Sequence, residues 1–505
     1  MTTQAPEART QQGVVRGIRH GSGEAYLGIP YAEPPVGELR FAAPAPPRPW
    51  EGVRDASAYG PTPLRRDFGD TTLIPEPPVP GDATLSVNVF TPAADPAAGL
   101  PVWVWIHGGG YTTGSPASPW YDGASFARDG VVTVTLSYRL GFDGFGWIEG
   151  APHNRGVRDW LAALEWVRAN IGFFGGDPDR VTIAGQSAGG GAVLTLLGMP
   201  SAQHLFHQVW ASSASLGDVA ADRARAIGSR LAADLGVPPT RDGFASVSEE
   251  RIVERQGHAE QEPGAKGLAV ARGLLHDGVG LAPVVDGEVI PRPTLESLRA
   301  GTGSDKPLVL GANDDEFTMI TMSSKILRFI PARLALAALG VTRAVASPYL
   351  KANRTVRRRG TGLLVGRYVS DHTFRAGVAR VADARAAAAR GAGSRGAGQA
   401  APSAPTWMYR LSWISPTHGI ALHCLDVPFL FDVLGAPRVD AIAGDSPPRV
   451  LAQAMHGAAV EFLHESRPGW APTTEGRRGA TRIFDVGRSA PDVVPDGYAS
   501  VAALV

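Results

Sequence analysis

The chain has 505 residues and a single cysteine, Cys424. An intramolecular disulfide is therefore excluded, and a lone thiol suits a reducing compartment. Charge excess is also lacking, with 48 Lys and Arg against 48 Asp and Glu. The totals thus give no basic surplus that would argue for nucleic acid or an anionic membrane as partner. No run of about 18 apolar residues occurs, so no membrane span is expected. The opening MTTQAPEARTQQG holds no apolar stretch of the signal-peptide kind, which makes the cytoplasm the expected address. Metal-site spacing such as H-E-x-x-H and the phosphate-loop pattern G-x-x-x-x-G-K-[ST] are both missing. Neither a metal nor a cofactor is expected.

What the chain does contain is an ordinary globular balance, 44% hydrophobic and 19% charged, punctuated by 62 Gly and 42 Pro. Strand-like runs appear at Leu85–Phe90, Pro101–Ile106, Val131–Leu136 and Arg180–Ala184, and later at Lys306–Gly311 and Trp407–Leu411. Between them, Asn154–Asn170 carries Trp160, Leu161, Leu164, Trp166 and Val167 at helical spacing. Strands alternating with helices argue a mostly parallel sheet with helices on its faces. Prolines make Tyr26–Phe41 an extended loop. Residues 220–300 read as mixed and helix-rich, and 317–380 as helical and basic in places, at Arg357–Arg359. Residues 380–405, rich in Ala, Gly, Arg and Ser, form a low-complexity insert expected to bury little; its early part can extend a helix and its later part reads as a flexible surface loop.

The stretch around which the rest is arranged is Phe174–Gly191. Phe174–Pro178 has turn chemistry, Arg180–Ala184 is a buried strand, and Gly185-Gln186-Ser187-Ala188-Gly189 opens an apolar helix running through Leu197. Strand, G-x-S-x-G turn and helix make a nucleophile elbow. Gly185 and Gly189 give room for a sharp turn, Ser187 sits at its apex, and the helix start favours a developing anion. Serine needs a base to take its proton and an acid to orient that base, in chain order Ser, Asp/Glu, His. Asp314, Asp315 and Glu316, after the strand ending at Gly311, are the acid candidates by position. His423 and His418 are the rival bases; His418 lies in a Ser-Pro-Thr loop. The amide of Ala188 and amides of the loop His107-Gly108-Gly109-Gly110-Tyr111 are the expected donors to an oxyanion, with His107 structural.

The block F-G-G-x4-V-x-I-x-G-x-S-A-G over Phe174–Gly189 resembles the type-B carboxylesterase signature, shared by bacterial carboxyl esterases, liver carboxylesterases and cholinesterases. The resemblance runs from Gly13 to about His464, including Pro34-Pro-Val-Gly37 and Leu39-Arg-Phe41. It weakens at 220–300 and 380–405. It implies an α/β-hydrolase fold, one catalytic domain over 1–505 with a helix-rich cap or regulatory region at 317–380, and a serine carboxylesterase that needs no cofactor. It selects Glu316 from an N-x-D-E-G-like segment, with Phe317 in place of Gly, and His423 from an H-x-x-[DE]-[LIV]-P-[FY]-like stretch. It also implies Gly109 and Gly110 as the oxyanion loop. Near the start of Leu85–Phe90, where relatives commonly carry a cysteine, this chain has Thr84. Tyr111, Leu216 and Phe317 are candidate walls of the substrate pocket. Trp103 and Trp105 are read as sheet packing, and Cys424 as a buried, inert thiol. The expected partner is a small-molecule ester. A specialised hydrolase of a lactone, carbamate or esterified natural product, or a non-catalytic interaction protein of the same fold, are the alternatives; retention of Ser187, Glu316 and His423 argues against the latter.

Overall fold

Alternation along Leu100–Ile106 shows how the central sheet is made. Val102, Val104 and Ile106 enter the core on one side of the sheet, while Trp103 and Trp105 enter the core on the other. All five are fully buried, as a strand covered on both faces requires. Each such side chain contributes roughly 2–3 kcal/mol by leaving water. In a computed structural model, residues 5–66, 73–261, 268–393, 403–474, 476–487 and 492–505 are described.

Among the described residues one sheet has eleven strands. These are β1 (Ile18–His20), β2 (Gly23–Pro30), β3 (Ser86–Thr91), β4 (Leu100–Ile106), β5 (Val132–Leu136) and β6 (Gly176–Gln186). Then follow β7 (Gln208–Ser212), β8 (Leu308–Asn313), β9 (Thr406–Leu411), β10 (Ala480–Phe484) and β11 (Val493–Pro495). Their spatial order is β11-β10-β9-β8-β7-β6-β4-β5-β3-β2-β1. From β5 through β10 every neighbouring pair is parallel; the remaining pairs at both edges are antiparallel. This is the α/β-hydrolase arrangement. Helix α1 (Arg155–Asn170) contributes Trp160, Leu164 and Val167 to the first core. Helix α5 (Arg449–Glu465) contributes Leu451, Met455 and Phe462 to the second.

Two local readings need correction. The turn expected over Phe174–Pro178 ends earlier: Gly175, at φ 86°, completes it, and β6 already begins at Gly176 opposite Leu100. A register shift between Leu100 and Val102 accommodates Pro178, which has no N–H to give to a ladder. The Ala-Arg part of the low-complexity stretch extends a helix as expected, but it buries more than the composition suggested. It lies in helix α4 (Ala376–Gly393), with Val381, Ala382 and Ala384 buried. Arg385 is buried too, donating to Thr406 Oγ1, Gly303 O and Lys306 O at 2.7–2.8 Å. The flexible-loop reading falls mainly on 394–402, outside the described residues.

Helix α3 (Thr361–Ser370) runs through a π turn at Asp371–Arg375 into α4. The chain's last stretch is tied beneath these helices and β9. Tyr498 Oη donates to Tyr409 O at 2.6 Å, Arg410 Nη1 to Gly497 O at 2.7 Å, and Asn353 Nδ2 to Ser500 O at 2.9 Å. No helix among the described residues is long and apolar enough to cross a membrane.

Candidate active site

Strand β6 ends at Gln186 and helix α2 (Ala188–Leu197) starts two residues later, so one residue makes the whole turn. That residue, Ser187, is held at φ 60° and ψ −123°, a sparsely populated region costing about 1–3 kcal/mol. The surroundings compensate: Ser187 N donates to Ser212 O at 3.0 Å, and its carbonyl accepts from Gly191 N and Ser215 N. A methyl group on Gly189 would lie 1.9 Å from Ile106 O, and one on Gly185 2.4 Å from the Gly189 carbonyl. The glycines of the motif are thus required by close backbone approach. Ser187 makes no side-chain cap, and the first N–H groups of α2, Ala188 among them, have no partner within the helix.

The glycine loop after β4 packs on this elbow. A methyl on Gly108 would meet Ser187 Cβ at 3.1 Å. Its carbonyls are engaged on one side: Gly108 O takes His107 Nδ1–H at 2.8 Å, and Gly109 O takes Thr112 N, Thr113 N and Thr113 Oγ1. In a trans peptide the N–H points opposite to the preceding C=O. The amides of Gly109 and Gly110 are thereby turned away from those partners, and both residues line the same cavity as Ser187 and Ala188. Gly109 needs φ 108° to do so. His107 stacks on Tyr138, ring centroids 4.6 Å apart, and burial lowers its pKa to about 4, so it stays neutral.

The run Asp314-Asp315-Glu316 sends its three carboxylates to three partners. Asp314 is gripped by Arg410 through two bonds of 2.7 Å. Burial opposes its ionisation, but Arg410, Arg375 and Arg367 outweigh this and hold its carboxyl well below the usual range. Asp315 pairs with Arg367 Nη1 at 2.9 Å and accepts from Ala421 N. Glu316, fully buried at φ 34°, accepts from Ser213 Oγ and Asn313 N, each at 2.7 Å, and meets His423 Nδ1 at 2.5 Å. His423 N also donates to Glu316 O, stitching the two loops together.

The other ring nitrogen of His423, Nε2, lies 3.2 Å from the Gln186 side-chain amide, beside Ser187. Burial works against a charge on His423, but Cys424 and Glu316 overcome it and raise its pKa well above the ordinary value. Burial also pushes the Cys424 thiol up, so it is uncharged near neutral pH and Glu316 supplies the opposing charge. Asp426, three residues on, is raised to about 6, by burial first and by Glu316 second. His418 is elsewhere: its Nε2 meets Ala441 O at 3.1 Å.

These groups converge on a cavity of about 460 Å³. Gly109, Gly110, Tyr111, Ser187, Ala188, Phe317 and His423 line it, with Glu316 just behind the wall. Leu216 does not. Ser215, whose N–H bonds Ser187 O, lines the cavity, while the next side chain, Leu216, packs against the core. Walls not foreseen are Phe374, Val365, Val369 and Thr373. Phe374 and Phe317 lie against the His423 ring, centroids 4.7 and 4.6 Å away. Val365, Val369 and Thr373 recur every fourth residue, a spacing visible in the sequence, and the π turn aims its end at the site. Ser213 was also missed. Cys424 lines the cavity as well and is the free thiol of the chain. A larger cleft of about 940 Å³, bordered by Arg40, Arg139, Asp143 and Glu249 among others, holds none of the expected groups. Among the described residues no group of three or more His, Cys, Asp and Glu is placed to hold a metal ion.

The carboxylesterase family pattern matches residues 4–476. The chain belongs to the carboxylesterase family. It is 33% identical over 473 residues to the para-nitrobenzyl esterase of Bacillus subtilis (strain 168), covering 91% of this chain and 90% of that one. It is 30% identical to the phenmedipham hydrolase of Pseudarthrobacter oxydans, covering 97% of each. A solved PNB esterase superposes with TM-score 0.82 at 30% identity over 99% of both chains, and a Geobacillus stearothermophilus carboxylesterase with TM-score 0.79 at 31%, again over 99% of both. The protein is a serine carboxylesterase, a hydrolase of carboxylic esters.

Proposed function

We propose that Ser187 is the nucleophile, His423 the base and Glu316 the acid of this carboxylesterase. The observation that carries the reading is the buried Glu316–His423 pair, 2.5 Å apart, with His423 in the wall of the cavity onto which the Ser187 elbow opens and Glu316 behind it. Ser187 Oγ attacks the ester carbonyl as His423 Nε2 takes its proton. The carbonyl oxygen becomes an oxyanion, received by the amides of Gly109, Gly110 and Ala188. Collapse breaks the C–O bond, and His423 returns the proton to the departing alcohol. Water repeats the cycle on the acyl-enzyme and releases the acid. Glu316 keeps the Nδ1–H tautomer, so that Nε2 presents a lone pair, and it stabilises the imidazolium formed in each step.

The substrate is a small ester with an apolar acyl or alcohol part, since Phe317, Phe374, Val365 and Leu275 dominate the walls. We read the chain as one catalytic unit with residues 317–380 as its cap, because Ile320, Val365 and Val369 from that region line the cavity. A lone buried thiol supports the cytoplasm as its address. Hydrolysis of p-nitrophenyl esters from acetate to long-chain acyl, with Ser187→Ala as control, tests the reading. Turnover by Ser187→Ala at the wild-type rate would sink it.

A further inference from the structure

Balanced totals hide a segment that is not balanced. From Phe317 to Ser370 the chain carries ten Lys and Arg and no Asp or Glu. Arg367 is buried against Asp315 and Asp371, but the other nine are exposed. Lys325, Arg328, Arg333 and Arg357–Arg359 are among them, and none of the nine forms an ion pair with a described residue. A surface that only needed solubility would mix both signs.

The same segment breaks a second rule. Of the thirteen large apolar side chains exposed among the described residues, five fall between 320 and 334. Ile320 is 62% exposed, Ile326 73%, Phe329 75% and Leu334 61%. Exposed apolar residues are unremarkable singly, but a cluster marks a surface that meets something apolar. Charge and apolar groups are interleaved here: the Arg328 guanidinium sits over the Phe329 ring, 4.5 Å from its centroid.

The position of this cluster is the third observation. Met319–Met322, Leu327–Phe329, Ala332–Ala338 and Arg354–Arg358 all pack on helix α3. Val365 of α3, Ile320 and Leu339 line the cavity that holds Ser187. The apolar and cationic surface is therefore the outside of one wall of the cavity that holds Ser187.

We propose that this surface docks on an anionic lipid interface, inserting Ile326 and Phe329 among the acyl chains while the lysine and arginine heads meet lipid phosphates. Cations near such a surface are attracted within a Debye length, and apolar tips supply the part that salt does not screen. Docking sets the cavity against a phase where apolar esters collect. An acidic protein would satisfy the charge but gives no account of four apolar side chains left bare, so lipid is the better occupant. The binding does not depend on the triad, and Ser187→Ala is expected to dock as the wild type does.

The test is co-sedimentation of the full chain with vesicles of equimolar phosphatidylglycerol and phosphatidylcholine, against vesicles of phosphatidylcholine alone. The expected result is preference for the anionic vesicles, weakening as salt rises. Lys325→Glu/Arg328→Glu and Ile326→Glu/Phe329→Glu should each weaken partitioning about tenfold or more, with circular dichroism and p-nitrophenyl acetate turnover unchanged. Equal partition to both vesicle types, no partition to either, or variants that bind as the wild type does would each overturn the proposal. So would capture by polyglutamate without capture by vesicles, which would assign the surface to an acidic protein.

Discussion

Glu316→Gln is the substitution whose consequence can be followed furthest through the geometry. The carboxylate receives three donors: Ser213 Oγ and Asn313 N on Oε1, and His423 Nδ1 on Oε2. An amide has one acceptor end. With its oxygen toward Asn313 N and Ser213, its NH2 faces Nδ1, and two donors cannot meet. The imidazole must then carry its proton on Nε2, toward Ser187, where it cannot act as base. With the amide reversed, NH2 faces the buried Asn313 N–H, which loses its acceptor at a cost of about 1–3 kcal/mol. The first arrangement therefore prevails. Wrong-tautomer loss together with loss of the counter-charge is expected to lower kcat by about 10⁴, or roughly 5.5 kcal/mol at 1.36 per decade. The pH profile supplies an independent check. Ester turnover needs neutral His423, whose pKa stands above its ordinary value, so wild-type kcat/KM falls as pH drops through that raised pKa. In Glu316→Gln the opposing charge that helps raise it is gone, so the acid limb moves to lower pH while the plateau falls. Steady-state kinetics on a p-nitrophenyl ester across pH, with circular dichroism to confirm folding, measures both. Near-normal kcat, especially beside a collapse in Asp315→Asn, would transfer the role to the neighbour.

Other outcomes follow from the same arrangement. A fluorophosphonate probe is expected to label Ser187 alone, and peptide mapping that finds the label on another serine refutes the elbow assignment. His423→Ala should lose about four to six decades in kcat, whereas His418→Ala, which removes a ring that meets Ala441 O away from the site, should stay within about tenfold; an active His423→Ala enzyme contradicts the mechanism. Arg385→Met keeps the side-chain stem but removes the donors to Thr406 Oγ1, Gly303 O and Lys306 O. It should lower stability by about 2–3 kcal/mol in a urea titration, and an unchanged midpoint would mean that helix α4 is held by its alanine packing alone.

The elbow was legible because all of its chemistry is local: a strand, a turn that tolerates no Cβ, and a helix lie within one short stretch. The acid was not legible to the same degree. Asp314, Asp315 and Glu316 are equivalent until Arg410 and Arg367, far along the chain, claim two of them. The cavity wall shows the reverse problem. The spacing of Val365, Val369 and Thr373 was visible, but nothing local says which way a helix face looks. Leu216 failed by one position, because the backbone bond from Ser215 to Ser187 decides which neighbour faces the cavity. At 380–393 the helix was legible but its burial was not: composition suggested little packing, whereas alanine lets the helix approach closely with Arg385 as its polar anchor.

The stretch Gly497–Leu504 has a practical consequence. Tyr498 and Gly497 hold Tyr409 and Arg410 of strand β9, and Arg410 in turn holds Asp314, two residues before Glu316. Arg375, next to Phe374 in the cavity wall, reaches Ser500 Oγ, and Arg380 reaches Leu504 O. Gly497–Leu504 is therefore a brace for the reaction centre, although it contributes no atom to the cavity. Removing Gly497–Leu504 would act as a mutation of the acid loop, with kcat falling although no cavity residue has changed.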